Sequence, residues 1–195
     1  VTSVTNKGNI SGAANGLDIN TGAQRVIITN ETGATISSTE ANAVNIESMQ
    51  GNLINEGNIK GVQTGIFISE TSSTVNITNT ATGKVEGNTG LSTEVATAIN
   101  NEGTFNGLEG DGIALKNGNS KISNSGTITG TQNGIYVSGN AKVDITNSGS
   151  LGGGNAAVFF ASDKNNTLVL NTGSSLSGDV ISTVSKGNTL TLVGA

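Results

Sequence analysis

Chemistry near neutral pH needs side chains that can hold a proton, an electron pair or a metal, and this chain offers few of them. It contains no Cys and no His, which removes thiolate nucleophiles, imidazole bases, disulfides and His/Cys metal sites together. Paired carboxylates are the remaining route, as in a glycosidase or lyase. The closest cluster is Glu109 and Asp111 in LEGDGIAL, 108–115. Two acids in one Gly-rich corner read first as a solvated turn and supply too few oxygens for Ca²⁺. The nonapeptide Ca²⁺ repeat of β-rolls is absent. Gly152-Gly153-Gly154 follows a strand pattern but opens no helix and carries no Lys-Ser/Thr, so it does not read as a phosphate loop. Ser and Lys occur without a motif that singles out a nucleophile. The expectation is no catalytic residue, no metal and no cofactor.

Charge and composition narrow the partners. Lys and Arg number 9 against 14 Asp and Glu, a net charge of -5, which disfavours a nucleic acid backbone. No stretch approaches the roughly 18 apolar residues of a membrane span, and no cationic, apolar leader precedes Val1. Gly, Asn, Thr and Ser make up more than half of the chain, while only 3% is aromatic. The core must therefore be built from small aliphatic side chains. Disordered chains lack regularly placed Val, Ile and Thr, and this one has them, so it reads as folded β structure.

The placing of those residues repeats. An Asn after an apolar pair recurs as Asn6, Asn30, Asn55, Asn79, Asn101, Asn124, Asn147 and Asn171, every 22 to 25 residues. Each register reads apolar-x-Asn-x-Gly-x-apolar-x-Gly and then Gly-apolar-x-apolar, as in LINEGNIKGVQTGIFI, 53–68, and ISNSGTITGTQNGIYV, 122–137. A third apolar run, such as Val75-Asn76-Ile77 or Val143-Asp144-Ile145, closes it. All three runs alternate with period 2 between Gly, Asn or Ser, which predicts strands. Three short strands cannot bury a core alone, but stacked copies spaced roughly 4.8 Å apart can. The chain is expected to be all-β: a single right-handed parallel β-helix, or β-solenoid, of about eight rungs of 22–25 residues over 1–195. Gly would supply positive φ or room at corners. The eight Asn would form a side-chain ladder down one corner.

In such a stack, equal offsets become columns. In Gly-apolar-x-apolar the x side chain faces out, and it runs Asp18, Asn45, Phe67, Ala114, Tyr136 and Phe159, with GLSTEV, 90–95, interrupting. Phe67, Tyr136 and Phe159 thus form a candidate binding strip. Counting from the ladder Asn also aligns Glu47, Glu70 and Glu94, followed by Lys116. Stacked like charges repel, so that column marks either a solvated loop or a face kept for a partner.

The phrase Asn-x-Gly-x-Ile-x-Gly followed by Gly-Ile-x-apolar, at Asn55 to Ile68 and Asn124 to Val137, resembles the passenger domains of Gram-negative autotransporters. The tail SKGNTLTLVGA, 185–195, is similar to a strand repeat common in them. The resemblance implies a right-handed β-helix segment of a longer secreted passenger, held at the bacterial surface through an outer-membrane barrel outside this segment. It implies a non-enzymatic adhesin or aggregation factor whose partner is a host cell-surface or matrix ligand, or the same protein on a neighbouring cell. Filamentous-haemagglutinin-type exoproteins have much the same repeats, which keeps a structural stalk as an alternative. A carbohydrate-active β-helix is the enzymatic alternative.

Overall fold

A computed structural model describes residues 2–20, 25–47, 50–184 and 187–193. All regular elements among them are strands, and all their pairings are parallel. Period-2 patterning drives this locally. In Arg25–Asn30 the side chains of Val26, Ile28 and Asn30 are buried, while Ile27 and Thr29 between them are half-buried. The chain has no Pro, so every backbone N–H is available to the ladders.

The strands fall into three columns. A nine-stranded sheet runs from Thr2–Asn6 to Thr189–Leu192. A fourteen-stranded sheet climbs a second column from Asn9–Gly12 to Ser150–Phe160 and returns along a third column to Leu17–Ile19, with Ser175–Ser182 paired to Ser150–Phe160 off that path. The result is a parallel β-solenoid of about eight turns, each giving one strand or half-strand to every column. At roughly 4.8 Å per turn it is a rod about 40 Å long. Gly152, Gly153 and Gly154 lie inside the 11-residue strand Ser150–Phe160. The glycine run therefore does not follow a strand; it is where one strand bends through the corner. Of the tail repeat, Thr189–Leu192 is a strand, and residues 185, 186, 194 and 195 lie outside the described residues.

Inward side chains lie directly over their copies. Ile28, Leu53, Ile77, Ile99, Ile122, Ile145 and Leu168 stack in the first column, and Ile36, Ile59, Val85, Phe105, Ile128 and Leu151 in the second. All are at most 3% exposed, each contributing roughly 1.5 to 3 kcal/mol. The irregular register GLSTEV keeps its place, with Leu91 paired to Ile66 and Thr93 to Ile68. Thr93 puts a hydroxyl into the core there. It is satisfied locally, meeting Thr97 Oγ1 at 2.8 Å and accepting from the Val95 N–H at 3.3 Å.

The amide ladder runs down the corner between the first and second columns. Asn6, Asn30, Asn55, Asn79, Asn101 and Asn124 each donate from Nδ2 to Oδ1 of the next, ending at Asn147, at 2.7 to 2.8 Å. The second Nδ2 hydrogen ties down the backbone that turns the corner, as from Asn101 to Gly103 O and Thr127 O. Asn171 is not a member. Leu170 pairs with Asn147, and Asn171 gives that residue only its backbone N–H. The last spacing is one residue shorter than the sequence pattern suggests, so the eighth amide falls out of phase.

Corner glycines are needed mostly for space. A Cβ on Gly126 would sit 2.2 Å from the Gly103 carbonyl oxygen, and its own φ is not positive. At the ladder corner, among the described residues, positive φ falls to Gly33 and Gly173, which stand one residue later in their corners than Gly126 does in its own; Gly118, Gly139 and Gly178 have it elsewhere.

The ladder predicts a graded response. Asn101→Ala takes the donor from Asn124 Oδ1 and the acceptor from Asn79 Nδ2 in a buried corner, so urea denaturation should show a loss of about 2 to 4 kcal/mol. Asn171→Ala should change stability by less than about 0.5 kcal/mol. Equal losses from the two would contradict the assigned phase.

Candidate binding face

Outward positions of the third column form the face on which the aromatic residues stand. Its central line pairs Asp18, Asn45, Phe67, Ser92, Ala114, Tyr136, Phe159 and Ile181 in order. The interruption expected at GLSTEV does not occur, because Ser92 fills that place. Phe67, Tyr136 and Phe159 share the line, and each is half-buried rather than fully open to solvent. Tyr136 and Phe159 meet edge to face, ring centres 5.6 Å apart and planes at 70°, a geometry favoured by the ring quadrupoles. Two turns lie between Phe67 and this pair.

Those two turns carry the smallest side chains of the line. Ser92 and Ala114 are 6% and 7% exposed, and they floor a groove of about 430 Å³ between Phe67 and Tyr136. Its rim is polar, with Asn42, Gln63, Thr64, Thr89, Asp111 and Lys116. A larger hollow of about 580 Å³ lies on the first column around Ala98, Asn100 and Lys121. It has no aromatic wall, and its depth comes from the short Ala98 between Asn76 and Lys121.

The glutamate column is not formed. Ser69, not Glu70, continues the backbone ladder above Glu47, and Glu94 then donates to the turn of Ser69. Glu70 is exposed one residue further along the loop. The arc from ladder to third column is one residue shorter in that turn, so counting from Asn55 overshoots. Glu47 and Glu94 are thereby separated by a serine, and Lys116 neutralises Glu94 across 3.3 Å. The arrangement removes the repulsion that an acidic column would carry.

The acidic pair also divides. Glu109 is exposed, whereas Asp111 is half-buried at the groove rim. The Asp111 carboxylate accepts from Asn133 Nδ2 at 2.7 Å and from the Asn133 N–H at 3.2 Å. Burial raises its pKa above the ordinary aspartate value, and the two Asn133 hydrogen bonds oppose that rise. Asn133 is itself 5% exposed, and its Oδ1 has no donor. Among the described residues no three acids gather into a metal-holding cluster. Asn30-Glu31-Thr32 has the form of an N-glycosylation sequon, but Asn30 lies in the buried ladder, where a glycan has no access.

Two features escaped the sequence pattern. Asn133 heads Gly-Ile-Tyr-Val just as Thr64 heads Gly-Ile-Phe-Ile, which marks the corner but not its partner Asp111. Asn166 and Asn188 form a second, part-buried amide step, Nδ2 to Oδ1 at 3.0 Å, and Asn166 Oδ1 also accepts from the Val143 N–H at 2.9 Å. The repeated phrase Asn-Thr-Leu-x-Leu at 166–170 and 188–192 was the available signal.

Set against protein-family models, curated proteins and solved structures, the chain matches none of them.

Asp111 gives a pH test whose sign is fixed. Its folded form holds the proton more tightly than the unfolded chain does, so its contribution is most favourable below the ordinary aspartate range. That contribution is lost as pH rises through the raised folded value. In thermal melts between about pH 3 and pH 7, Asp111→Asn should gain on the wild type as pH rises. A constant offset between the two would exclude the effect.

Proposed function

We propose that the chain is a rigid, non-enzymatic adhesive rod of the autotransporter-passenger type, displayed outside a Gram-negative cell. The observation that carries this reading is the third-column face: a T-shaped Tyr136–Phe159 pair and a third ring, Phe67, held half-open on a scaffold whose stacked ladders leave it little freedom to move. Soluble β folds normally turn their few rings inward, as Phe105 and Phe160 do here. Rings retained outside, beside polar columns, are the composition of a contact surface. The partner is a host surface or matrix ligand, or the same protein on a second cell. Binding is cumulative, since a repeating face makes many weak contacts at once and linked weak contacts gain avidity without any strong one.

The reading asks nothing of Asp111 and Glu109 beyond local structure, because Asn133 supplies both hydrogen-bond partners of Asp111. It also fits the negative charge, which keeps displayed rods apart until specific contacts form.

The test is a Tyr136→Ala, Phe159→Ala double variant displayed on cells. Each 1.4 kcal/mol of lost contact is about tenfold in affinity, so adhesion or clumping should drop at least about tenfold while the melting transition stays cooperative. Unchanged adhesion and clumping would remove the aromatic strip from the reading.

A further inference from the structure

We infer that the groove between Phe67 and Tyr136 is a subsite for a short neutral oligosaccharide lying along the rod axis; this rests on the adhesive reading and gives it a ligand class. The two rings stand three turns apart on one line, roughly 14 Å at about 4.8 Å per turn. The places between them belong to Ser92 and Ala114, whose small buried side chains leave the line open. A pyranose is a ring with apolar C–H faces and a rim of hydroxyls. It therefore needs flat aromatic walls and, around them, groups that both donate and accept.

The groove has that arrangement. Phe67 and Tyr136 close its two ends, and Asn42, Gln63, Thr64 and Thr89 offer amides and hydroxyls able to act either way. Asp111 adds an acceptor and Lys116 a donor, so the lining carries one charge of each sign. Behind the rim, Asn133 holds the Asp111 carboxylate in place through its Nδ2 and its backbone N–H.

Size and charge select against other ligands. A protein partner needs about 800 Å² of surface on each side, far more than the ten groove-lining residues, most of them buried or half-buried, can offer. A sulfated or uronic polyanion meets a chain of net charge -5 with a single Lys at the groove. A neutral hexose or N-acetylhexosamine oligomer meets neither obstacle. Three turns of the rod accommodate two to three such rings between and against the aromatic walls.

The test uses the full 195-residue chain on an array of immobilised neutral hexose and N-acetylhexosamine di-, tri- and tetrasaccharides, with heparin fragments as the polyanion arm. At least one neutral series should bind, tightening from di- to trisaccharide and then levelling. Phe67→Ala and the groove-filling Ala114→Phe should each weaken that binding at least about tenfold, whereas Lys121→Ala, on the first column, should stay within about twofold. Circular dichroism and a thermal melt confirm that each variant is folded. No binding to any neutral saccharide, preference for heparin, or full binding by folded Ala114→Phe would overturn the inference. Displaying cells separate the two readings. If they adhere or clump while the array stays blank, only the saccharide subsite falls; if the array binds and the cells do neither, the adhesive reading falls and the subsite stands.

Discussion

The structure depends on one constraint: consecutive turns must lie in a single register, because a buried carboxamide has no other way to satisfy itself. An Asn side chain brings two N–H donors and an acceptor into a corner from which solvent is excluded. Only an identical amide one turn away presents the matching oxygen and hydrogen at hydrogen-bond distance. Seven amides joined in this way from Asn6 to Asn147 act as a pin through the stack. Slipping one turn by one residue would break amide bonds on both sides of it and turn its aliphatic residues outward. Glycines such as Gly126 belong to the same constraint, since the backbone that passes the pin comes too close to the preceding turn for a Cβ.

That constraint also explains what the sequence makes legible. Much can be read by counting: the Asn residues from Asn6 to Asn147, the core column from Ile36 to Leu151, and the line holding Phe67 and Tyr136 fall where periodicity places them. Counting fails where turns differ in how they distribute their length. Ile46 pairs with Ile68, 22 residues on, while Asn30 bonds Asn55, 25 residues on. Extra residues are absorbed in loops between columns, and a distance counted from one column drifts in the next. Glu70 is misplaced for this reason, and Asn171 because the drift finally reaches the ladder itself. The polar corner of Asp111 and Asn133 is invisible for another reason. It is a contact between neighbouring turns specified by two unlike residues, and only its backbone half recurs, where Asn15 Oδ1 accepts from the Asn42 N–H.

Irregularity in this molecule is concentrated on one face. Thr93 is accommodated by a local Thr97 contact, and the strands it belongs to stay in register. The same turn brings Ser92 to the outer line, and the next brings Ala114. Repetition supplies a scaffold with no preference among its turns. The two small residues break that equivalence and set Phe67 apart from the Tyr136–Phe159 pair, which gives a uniform rod an address.

The handover between the two amide ladders has a mechanical meaning. The first stops at Asn147, and the second, Asn166 with Asn188, sits on a different corner. All bonds between turns point along the rod, so tension applied through the chain ends peels turns away singly instead of shearing them together. Each released turn of about 23 residues pays out roughly 75 Å of slack. Pulled in this way, the rod would yield in steps and not snap, one turn at a time.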